Sequence, residues 1–187
     1  MLMKRLACLL LVLAMTCLAA GCRWQKQAER QDWKEIEEKG VLRIGVTECA
    51  PFSQKGADGS WSGFDMDLAQ YIADYLGLEL EVVTVDFDGV ISELQTKSVD
   101  LGMAGLSPDE KRMGIMDFSD LYYMGGQSLV TVKDNAEKYN SFEAINKPDV
   151  SVGAQVGSIQ MDLANENSPE ADIVGLPKVT DIISELL

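Results

Sequence analysis

The sequence predicts an α/β protein made of two lobes, and two features of the residue pattern carry this prediction. Over 41–120, short apolar runs alternate with segments whose apolar residues recur at helical spacing, which favours a parallel sheet with helices on its faces. At 121–133 the alternation is interrupted by "LYYMGGQSLVTVK", a long extended stretch with paired glycines, and it then resumes. We therefore predict a first α/β lobe at 41–120, a crossover hinge strand at 121–133 and a partial second α/β lobe at 134–187.

Individual elements follow from the spacing of apolar residues and from the residues that end helices. In "FDMDLAQYIADYLG" (64–77) apolar residues recur every four positions, which places them on one face of a helix that Gly77 ends. A turn is predicted at Asp58 and Gly59, in the loop after the first strand. The predicted strands are 41–46, 78–85, 99–105, 150–155 and 171–176. The predicted helices are 64–77, 88–98, a short one from Pro108, 141–145, 157–166 and 180–187.

Composition excludes several classes of function. The chain of 187 residues is 47% apolar and 25% charged, as expected of an ordinary globular protein. Its formal net charge of −14 argues against a nucleic-acid partner, which would need a basic surface. The sequence contains no histidine, which excludes Ser-His and Cys-His catalysis and zinc sites with histidine ligands. No metal site and no cofactor are predicted.

The N-terminus predicts a targeting segment. A basic start, "MLMKR", precedes the apolar run "LACLLLVLAMTCLAA", which is typical of a signal peptide and short for a membrane-spanning helix. The ending "LAAGC" resembles the lipobox of bacterial lipoproteins, so we expect residues 1–21 to be removed and Cys22 to be lipidated. A plain signal peptide cut nearby, or an uncleaved anchor, is the alternative. The mature protein would be extracytoplasmic and lipid-anchored to the cell membrane.

The next segment and the remaining cysteines complete this picture. Residues 22–40 are polar and charged, and they predict a tether with a short helix near its end that a glycine closes. Cys8 and Cys17 would leave with the signal peptide, and Cys22 would carry lipid. Cys49 is then the only free thiol, so no internal disulfide is predicted.

The octapeptide "GLSPDEKR" (105–112) combines several signals for the start of a helix. The hydroxyl of Ser107 can act as N-cap, Pro108 suits the first helical position, and Glu110 completes a capping box. Arg112 lies one turn into this helix, where its charge opposes the helix dipole, so local helix stability does not explain it. Either this arginine is solvated on a capped surface helix, or it binds a ligand.

From Val41 onward the chain resembles the extracytoplasmic solute-binding proteins of amino-acid ABC transporters, the family 3 or polar amino acid group. The segments that carry the resemblance are "LRIGV…APF", "GFDMDLAQYIADYLGLELEVV", "DFDGVISELQTKSVDLGMAGLSPDEKR", "MDFSDLYY" and "VGAQVGS". The resemblance implies a two-lobed fold like that of type II periplasmic binding proteins, with the second lobe incomplete. It implies a binding protein and no enzyme: the lobes would close over a polar amino acid and deliver it to an ABC permease.

The same resemblance assigns a group of polar contacts to the ligand. Arg112 occupies the position at which the family's arginine donates a pair of hydrogen bonds to the ligand α-carboxylate. The paired donors of a guanidinium match the two oxygens of a carboxylate. Ser107 and the backbone of Gly105 would make neighbouring contacts. Ser158, at a predicted helix start, would reach the same carboxylate from the second lobe, or it would be an ordinary N-cap.

Two aromatic residues, Phe52 and Phe87, match pocket-wall positions of the family, although either could equally be an ordinary core residue. Asp65 and Asp67 of the "G-F-D-x-D" motif are assigned to capping the helix that they begin.

The loop "VTECAPF" departs from the family because it lacks the aromatic residue that usually covers the ligand side chain. Cys49 or Glu48 falls near that place. Glu48 could either favour a cationic ligand such as arginine or lysine or face solvent, so the amino acid is not predicted.

The resemblance also predicts that the chain stops early. Relatives continue beyond the helix at 180–187, so the sequence would be a fragment of a longer protein or a truncated product, with exposed apolar surface and unpaired strand edges.

Two other functions of this fold remain open. One is a cleft enzyme resembling prephenate or arogenate dehydratase, with Glu48 as the candidate acid. The other is a sensory ligand-binding domain.

Overall fold

The computed structural model describes residues 32–187. The predicted signal peptide at 1–21 and the predicted lipidation site at Cys22 lie outside this range. The described end of the tether is a helix, α1, over 32–39. Gly40 follows α1 with a φ of 69° and donates its N–H to carbonyls of the last helical turn, so the predicted short helix and its closing glycine are confirmed.

The first lobe contains a parallel sheet of three strands in the order β4-β1-β5. The central strand β1 (Val41–Val46) pairs along its whole length with β4 (Glu79–Thr84) and at two positions with β5 (Leu101–Gly102). Most of β1 is buried, as expected of a parallel strand with a neighbour on each side. The predicted parallel sheet is confirmed, and β5 is shorter than the prediction of 99–105.

Helix α2 (Phe64–Leu76) covers this sheet, and Gly77 ends it with a φ of 70°, as predicted. A 3₁₀ turn, Phe87–Gly89, leads from β4 into α3 (Val90–Gln95). The core between α2 and the sheet is apolar, which supplies the main stabilisation of the lobe. Its buried residues are Leu42, Ile44, Val46, Met66, Ala69, Ala73, Leu78 and Met103.

A small hairpin follows β1 and was not predicted. Its strands, β2 (Gln54–Lys55) and β3 (Trp61–Ser62), are antiparallel and flank the predicted turn, where Gly59 has a φ of 84°. Each strand has only two residues, which is too short to produce a recognisable alternation of apolar and polar residues.

The second lobe contains a separate parallel pair of strands, β6 (Ser151–Gln155) and β7 (Asp172–Leu176). Helix α6 (Ile159–Asn167) connects the two strands and α7 (Val179–Leu186) follows them, as predicted. A short helix, α5 (Phe142–Ile145), precedes this unit. This lobe is therefore a βαβ unit with two further helices, α5 before it and α7 after it.

The segment between the lobes differs from the prediction. The crossover strand predicted over 121–133 is wrong, because 121–132 pair with no strand among the described residues and a 3₁₀ turn begins at Lys133. Within the same described part of the chain, the backbone of 117–131 forms no backbone–backbone hydrogen bond. The residues of this segment favour an extended chain, but a strand also requires a neighbouring strand with a free edge.

The described residues contain no candidate membrane span and no candidate metal cluster. None of the helices between 32 and 187 combines the length and the apolar character needed to cross a bilayer. Over that same range, histidine, cysteine and carboxylate side chains do not gather in threes that could hold a metal ion.

Candidate ligand-binding site

Arg112 lies where the two lobes meet, with only 7% of its surface exposed. It belongs to the short helix α4 (Glu110–Met113). Its Nη1 donates to the carbonyl of Ser107 at 2.8 Å, and its Nη2 donates to the carbonyl of Gly157 in the second lobe at 2.9 Å. Its Nε lies 3.3 Å from Oδ2 of Asp109. The guanidinium is therefore held from both lobes.

The guanidinium of Arg112 retains donors for a further acceptor. A guanidinium has five N–H groups, two of them on each terminal nitrogen. Among the hydrogen bonds of the described residues, each terminal nitrogen of Arg112 uses one N–H, and both acceptors are neutral carbonyls. One N–H therefore remains on each terminal nitrogen, the number of donors that a carboxylate can take up as a pair.

The helix that carries Arg112 begins differently from the prediction. Asp109 is the N-cap, since its Oδ1 accepts the backbone N–H of Arg112 at 2.8 Å. The predicted capping box of Ser107 and Glu110 is therefore wrong. The carboxylate of Asp109 is charged, so it interacts more favourably than a serine hydroxyl with both the helix N-terminus and the arginine beside it.

Ser107 and Gly105 lie in the chain that leads to α4, but they contribute backbone atoms. Ser107 offers its carbonyl to Arg112, and its hydroxyl makes no hydrogen bond among the described residues. Gly105 has a φ of 65°, a conformation that favours glycine, and a Cβ at this position would lie 3.8 Å from Sγ of Cys49. Contacts of these two residues with a ligand stay predictions.

Ser158 is the N-cap of α6, so the N-cap interpretation is confirmed. It is 2% exposed, its hydroxyl donates to the carbonyl of Gln155 at 2.6 Å, and its Oγ accepts the N–H of Met161 at 3.2 Å. The hydroxyl thus already has a donor and an acceptor within its own lobe. Its contact with a ligand carboxylate stays a prediction.

The lobes also touch at a place where sequence reasoning assigned no role. Gly157 has a φ of 74°, and a Cβ on it would lie 2.9 Å from Cβ of Asp88 and 3.2 Å from its Cα. Asp88 belongs to the 3₁₀ turn Phe87–Gly89 of the first lobe. The sequence contains no signal for this contact, because nothing in the local pattern of either segment indicates its distant neighbour.

The two predicted pocket-wall residues have different surroundings. Phe87 is 8% exposed and lies in the interior. Phe52 is half-buried in an aromatic cluster, with its ring centroid 4.8 Å from that of Tyr123 and 6.3 Å from that of Phe64. The rings meet edge to face, an arrangement that aromatic pairs prefer. A pocket-wall role stays a prediction for both phenylalanines.

Asp65 is a buried acid near this aromatic cluster. It is 1% exposed, its Oδ1 accepts the hydroxyl of Tyr122 at 3.1 Å, and its Oδ2 has no hydrogen-bond partner among the described residues. Burial raises the pKa of Asp65, and the hydrogen bond from Tyr122 partly opposes this shift. Burial, followed by the neighbouring Asp65 carboxylate, raises the pKa of Tyr122 to about 12.

The assignment of Asp65 and Asp67 to helix capping is wrong. Both lie in the first turn of α2, but the N-cap is Gly63 and no side chain caps this helix. The motif indicated two acids that the helix dipole favours. In the structure, the side chain of Asp65 is buried and accepts a hydrogen bond from Tyr122.

Cys49 and Glu48 precede the aromatic cluster in the chain. Cys49 is a free, half-buried thiol whose pKa is raised by burial and, to a smaller extent, by the charge of Asp65. Glu48 is exposed. Its predicted role beside a cationic ligand, or as a catalytic acid, stays a prediction.

An open groove of about 640 Å³ runs between α4 and α6, next to the arginine. Arg112 does not line this groove, so the groove is distinct from the predicted ligand site. Its lining is mixed, since acidic residues make up half of it and the others are basic, amide or apolar. The lining residues are Asp109, Glu110, Lys111, Ile159, Asp162, Leu163, Asn165 and Glu166.

Comparisons with known proteins agree on one family. The sequence profile of the bacterial extracellular solute-binding proteins, family 3, matches residues 42–177. Cyclohexadienyl dehydratase from Pseudomonas aeruginosa is 29% identical over 178 residues, which are 95% of this chain and 66% of that protein. The arginine-binding extracellular protein ArtP from Bacillus subtilis is 30% identical over 186 residues, which are 98% of this chain and 69% of that protein.

Solved structures show the same likeness. The ancestral amino acid-binding protein AncCDT-1, a precursor of cyclohexadienyl dehydratase, is 40% identical to this chain with a TM-score of 0.79, over 82% of this chain and 68% of that one. This similarity confirms the predicted fold of type II periplasmic binding proteins. The chain spans 66% of the length of the dehydratase and 69% of the length of ArtP.

Proposed function

This chain belongs to the bacterial extracellular solute-binding proteins, family 3, and from that premise we propose that it captures a polar amino acid and delivers it to an ABC permease. The ligand α-carboxylate would bind Arg112. The observation that carries this proposal is a buried guanidinium at the boundary of the lobes that keeps one donor on each terminal nitrogen. In a buried site of low effective dielectric, a carboxylate is a favourable partner for it.

The energetics of this contact suit a transport protein. Hydrogen bonds to charged groups contribute about 1.5–3 kcal/mol each. An affinity of about 1 μM corresponds to roughly 8 kcal/mol, so the arginine would supply a large share of it. The remaining free energy would come from burial of the ligand as the lobes close, and opening would release the ligand to the permease.

Lipidation of Cys22 would complete the proposed role. A cysteine with several acyl chains would hold the protein stably at the membrane, which a single chain would not do. The segment between Cys22 and α1 would then let the lobes reach the permease. Labelling cells with a radioactive or clickable fatty acid tests this step, and incorporation that persists in Cys22→Ser would contradict it.

The test of amino-acid binding is calorimetry on the full chain in detergent against the twenty common amino acids. Arginine and lysine come first, because the curated relative ArtP is an arginine-binding protein. We expect one or a few polar amino acids to bind with micromolar affinity and apolar amino acids to give no heat. If none of the twenty binds, the proposal fails.

A second candidate function is a dehydratase, because cyclohexadienyl dehydratase is 29% identical over 95% of this chain. Loss of carbon dioxide together with water from a cyclohexadienyl acid, which leaves an aromatic ring, would need a general acid in the cleft to protonate the departing hydroxyl. Asp65 is buried, with 1% of its surface exposed, and could not reach a substrate. Glu48 is exposed and is our candidate for the general acid among the described residues. Ultraviolet absorbance of the aromatic product tests this activity, and Glu48→Gln should abolish it.

A further inference from the structure

The contact between Gly157 and the first lobe carries an inference about closure, which rests on the proposed function. Gly157 precedes α6 in the second lobe, and its backbone faces Asp88 of the first lobe. Its carbonyl accepts from Arg112 at 2.9 Å. We propose that Gly157 is a positioning residue whose missing side chain lets the lobes meet closely enough for Arg112 to hold both the second lobe and the ligand carboxylate.

Gly157 has no room for a side chain where it faces the first lobe. A Cβ at Gly157 would lie 2.9 Å from Cβ of Asp88, 3.2 Å from its Cα and 3.9 Å from its N. The atoms that it would meet are backbone atoms and a Cβ, which no change of rotamer can move away. A side chain at this position would therefore force the second lobe to withdraw from the 3₁₀ turn that contains Asp88.

Withdrawal would also break the hydrogen bond between the lobes. The distance from Nη2 of Arg112 to the carbonyl of Gly157 is 2.9 Å, and a hydrogen bond is largely lost beyond about 3.5 Å. A shift of less than 1 Å would therefore release one side of the guanidinium. Because the ligand carboxylate would use the neighbouring N–H groups, closure and ligand binding share one side chain and should be coupled.

The positive φ angle of Gly157 is by itself a reason for glycine at this position. The steric effect therefore needs a control variant at a glycine with a similar φ angle. Gly157 has a φ of 74°, a conformation that L side chains rarely adopt. Gly77, at the end of α2, has a φ of 70°, but nothing lies within 4 Å of a Cβ placed there. Gly157→Ala and Gly77→Ala therefore carry the same backbone strain, and only Gly157→Ala places a side chain against the other lobe.

The first experiment compares ligand affinity and thermal stability in the full chain. Both variants should lower the melting temperature to a similar extent. Gly157→Ala should raise the Kd for the amino acid by at least about tenfold, because the closed state becomes a minor population, whereas Gly77→Ala should leave it unchanged. Equal Kd values in the two variants, with wild-type binding intact, would overturn the inference and leave the proposed function standing.

A second variant tests the cause. Asp88→Gly removes the Cβ at 2.9 Å and leaves the Cα at 3.2 Å, so adding Gly157→Ala should raise the Kd by a smaller factor in Asp88→Gly than in the wild type. An equal rise of the Kd in the two backgrounds would mean that the loss does not arise from this contact, and would overturn the inference.

A third measurement does not depend on a ligand. Amide hydrogen exchange followed by mass spectrometry should show faster exchange at 86–90 and 156–160 in Gly157→Ala than in Gly77→Ala. If wild type binds no amino acid, the proposed function fails, and this comparison still decides whether the glycine brings the lobes together. Identical exchange in the two variants would overturn the inference.

Discussion

Arg112 and Arg43 show how the surroundings of an arginine indicate its use. Arg43 already has a carboxylate partner: its Nε donates to Oδ2 of Asp100 at 3.0 Å and its Nη2 donates to Oδ1 at 2.7 Å. The terminal nitrogens of Arg112 bond instead to carbonyls. A carboxylate would compete well for Arg112, because charge-assisted hydrogen bonds are about twice as strong as neutral ones.

The contrast predicts different results for the same substitution. Arg112→Lys keeps the charge but loses the planar pair of donors, and we expect the Kd for the amino acid to rise by at least about tenfold, or about 1.4 kcal/mol. Arg43→Lys should leave the Kd unchanged and lower the free energy of unfolding by about 1 kcal/mol. Calorimetry and urea unfolding measure the two effects. Equal Kd values for the two lysine variants would remove Arg112 from the site.

Asp65 is the residue whose charge should affect stability most clearly. Its pKa in the folded protein lies above the ordinary value because it is buried. The folded protein therefore holds this proton more tightly than the unfolded chain does. The associated stability is complete below the ordinary pKa of about 3.9 and is lost as pH rises through the raised pKa.

Substitution of Asp65 by asparagine tests this sign. Asp65→Asn carries no ionisable group, so its free energy of unfolding should rise relative to wild type as pH increases from about 3 to 7. Asp67→Asn, in the same helical turn but exposed, controls for the loss of a carboxylate near the start of the helix. Urea unfolding at several pH values gives the comparison. A difference between Asp65→Asn and wild type that is constant with pH would show that the carboxyl is not protonated more readily in the fold.

At the scale of elements, the stability of helix α4 depends more on its N-cap than on its length. It has four residues, which is too short to be stable by helix propensity alone. Asp109 supplies the cap and also lies 3.3 Å from Nε of Arg112. The start of this helix therefore positions the arginine as well as the backbone.

The two candidate caps of α4 can be separated by alanine substitution. Asp109→Ala should cost about 1 kcal/mol of stability, the usual effect of removing an N-cap. It should also weaken amino-acid binding, because the guanidinium loses a fixed neighbour. Ser107→Ala should change stability by less than about 0.5 kcal/mol. Urea unfolding measures both, and a larger loss for Ser107→Ala would reinstate the capping box.

On the scale of the whole molecule, the segment between the lobes is the most accessible extended part of the described chain. Its side chains are well exposed, for example 60% at Tyr123 and 85% at Met124. Its backbone over 117–131 forms no backbone–backbone hydrogen bond within the described residues. Proteases need extended backbone that no hydrogen bonds hold in place, so this segment should be cut first.

Limited digestion with chymotrypsin checks this expectation. The enzyme cuts after aromatic residues, and α2 provides an internal comparison in Tyr71 and Tyr75, which are 68% and 80% exposed but helical. We expect cleavage at 121–124 to be at least about tenfold faster than cleavage in α2, because the helix must open first. Mass spectrometry over time identifies the cuts. Earlier cleavage after Tyr71 or Tyr75 would contradict the structure of the crossing segment.

The sequence by itself determined the fold class and most of the helices and strands. Helical spacing in 64–77 and the terminal Gly77 defined α2, and the alternation of strands and helices identified two parallel sheets, because these signals are local and repeat along the chain. Arg112 was also identified as a candidate ligand-binding residue from the sequence, since it fits its helix poorly and matches a family motif.

Only the tertiary structure decided which residues surround that arginine. Each of the contacts that sequence reasoning missed joins residues at least 45 positions apart. These contacts are Arg112 with Gly157, Gly157 with Asp88, and Tyr122 with Asp65. No local pattern encodes such a pair. The crossing segment failed as a strand for the same reason, because its own residues specify an extended chain, whereas hydrogen-bonded partners come from the packing of the whole molecule.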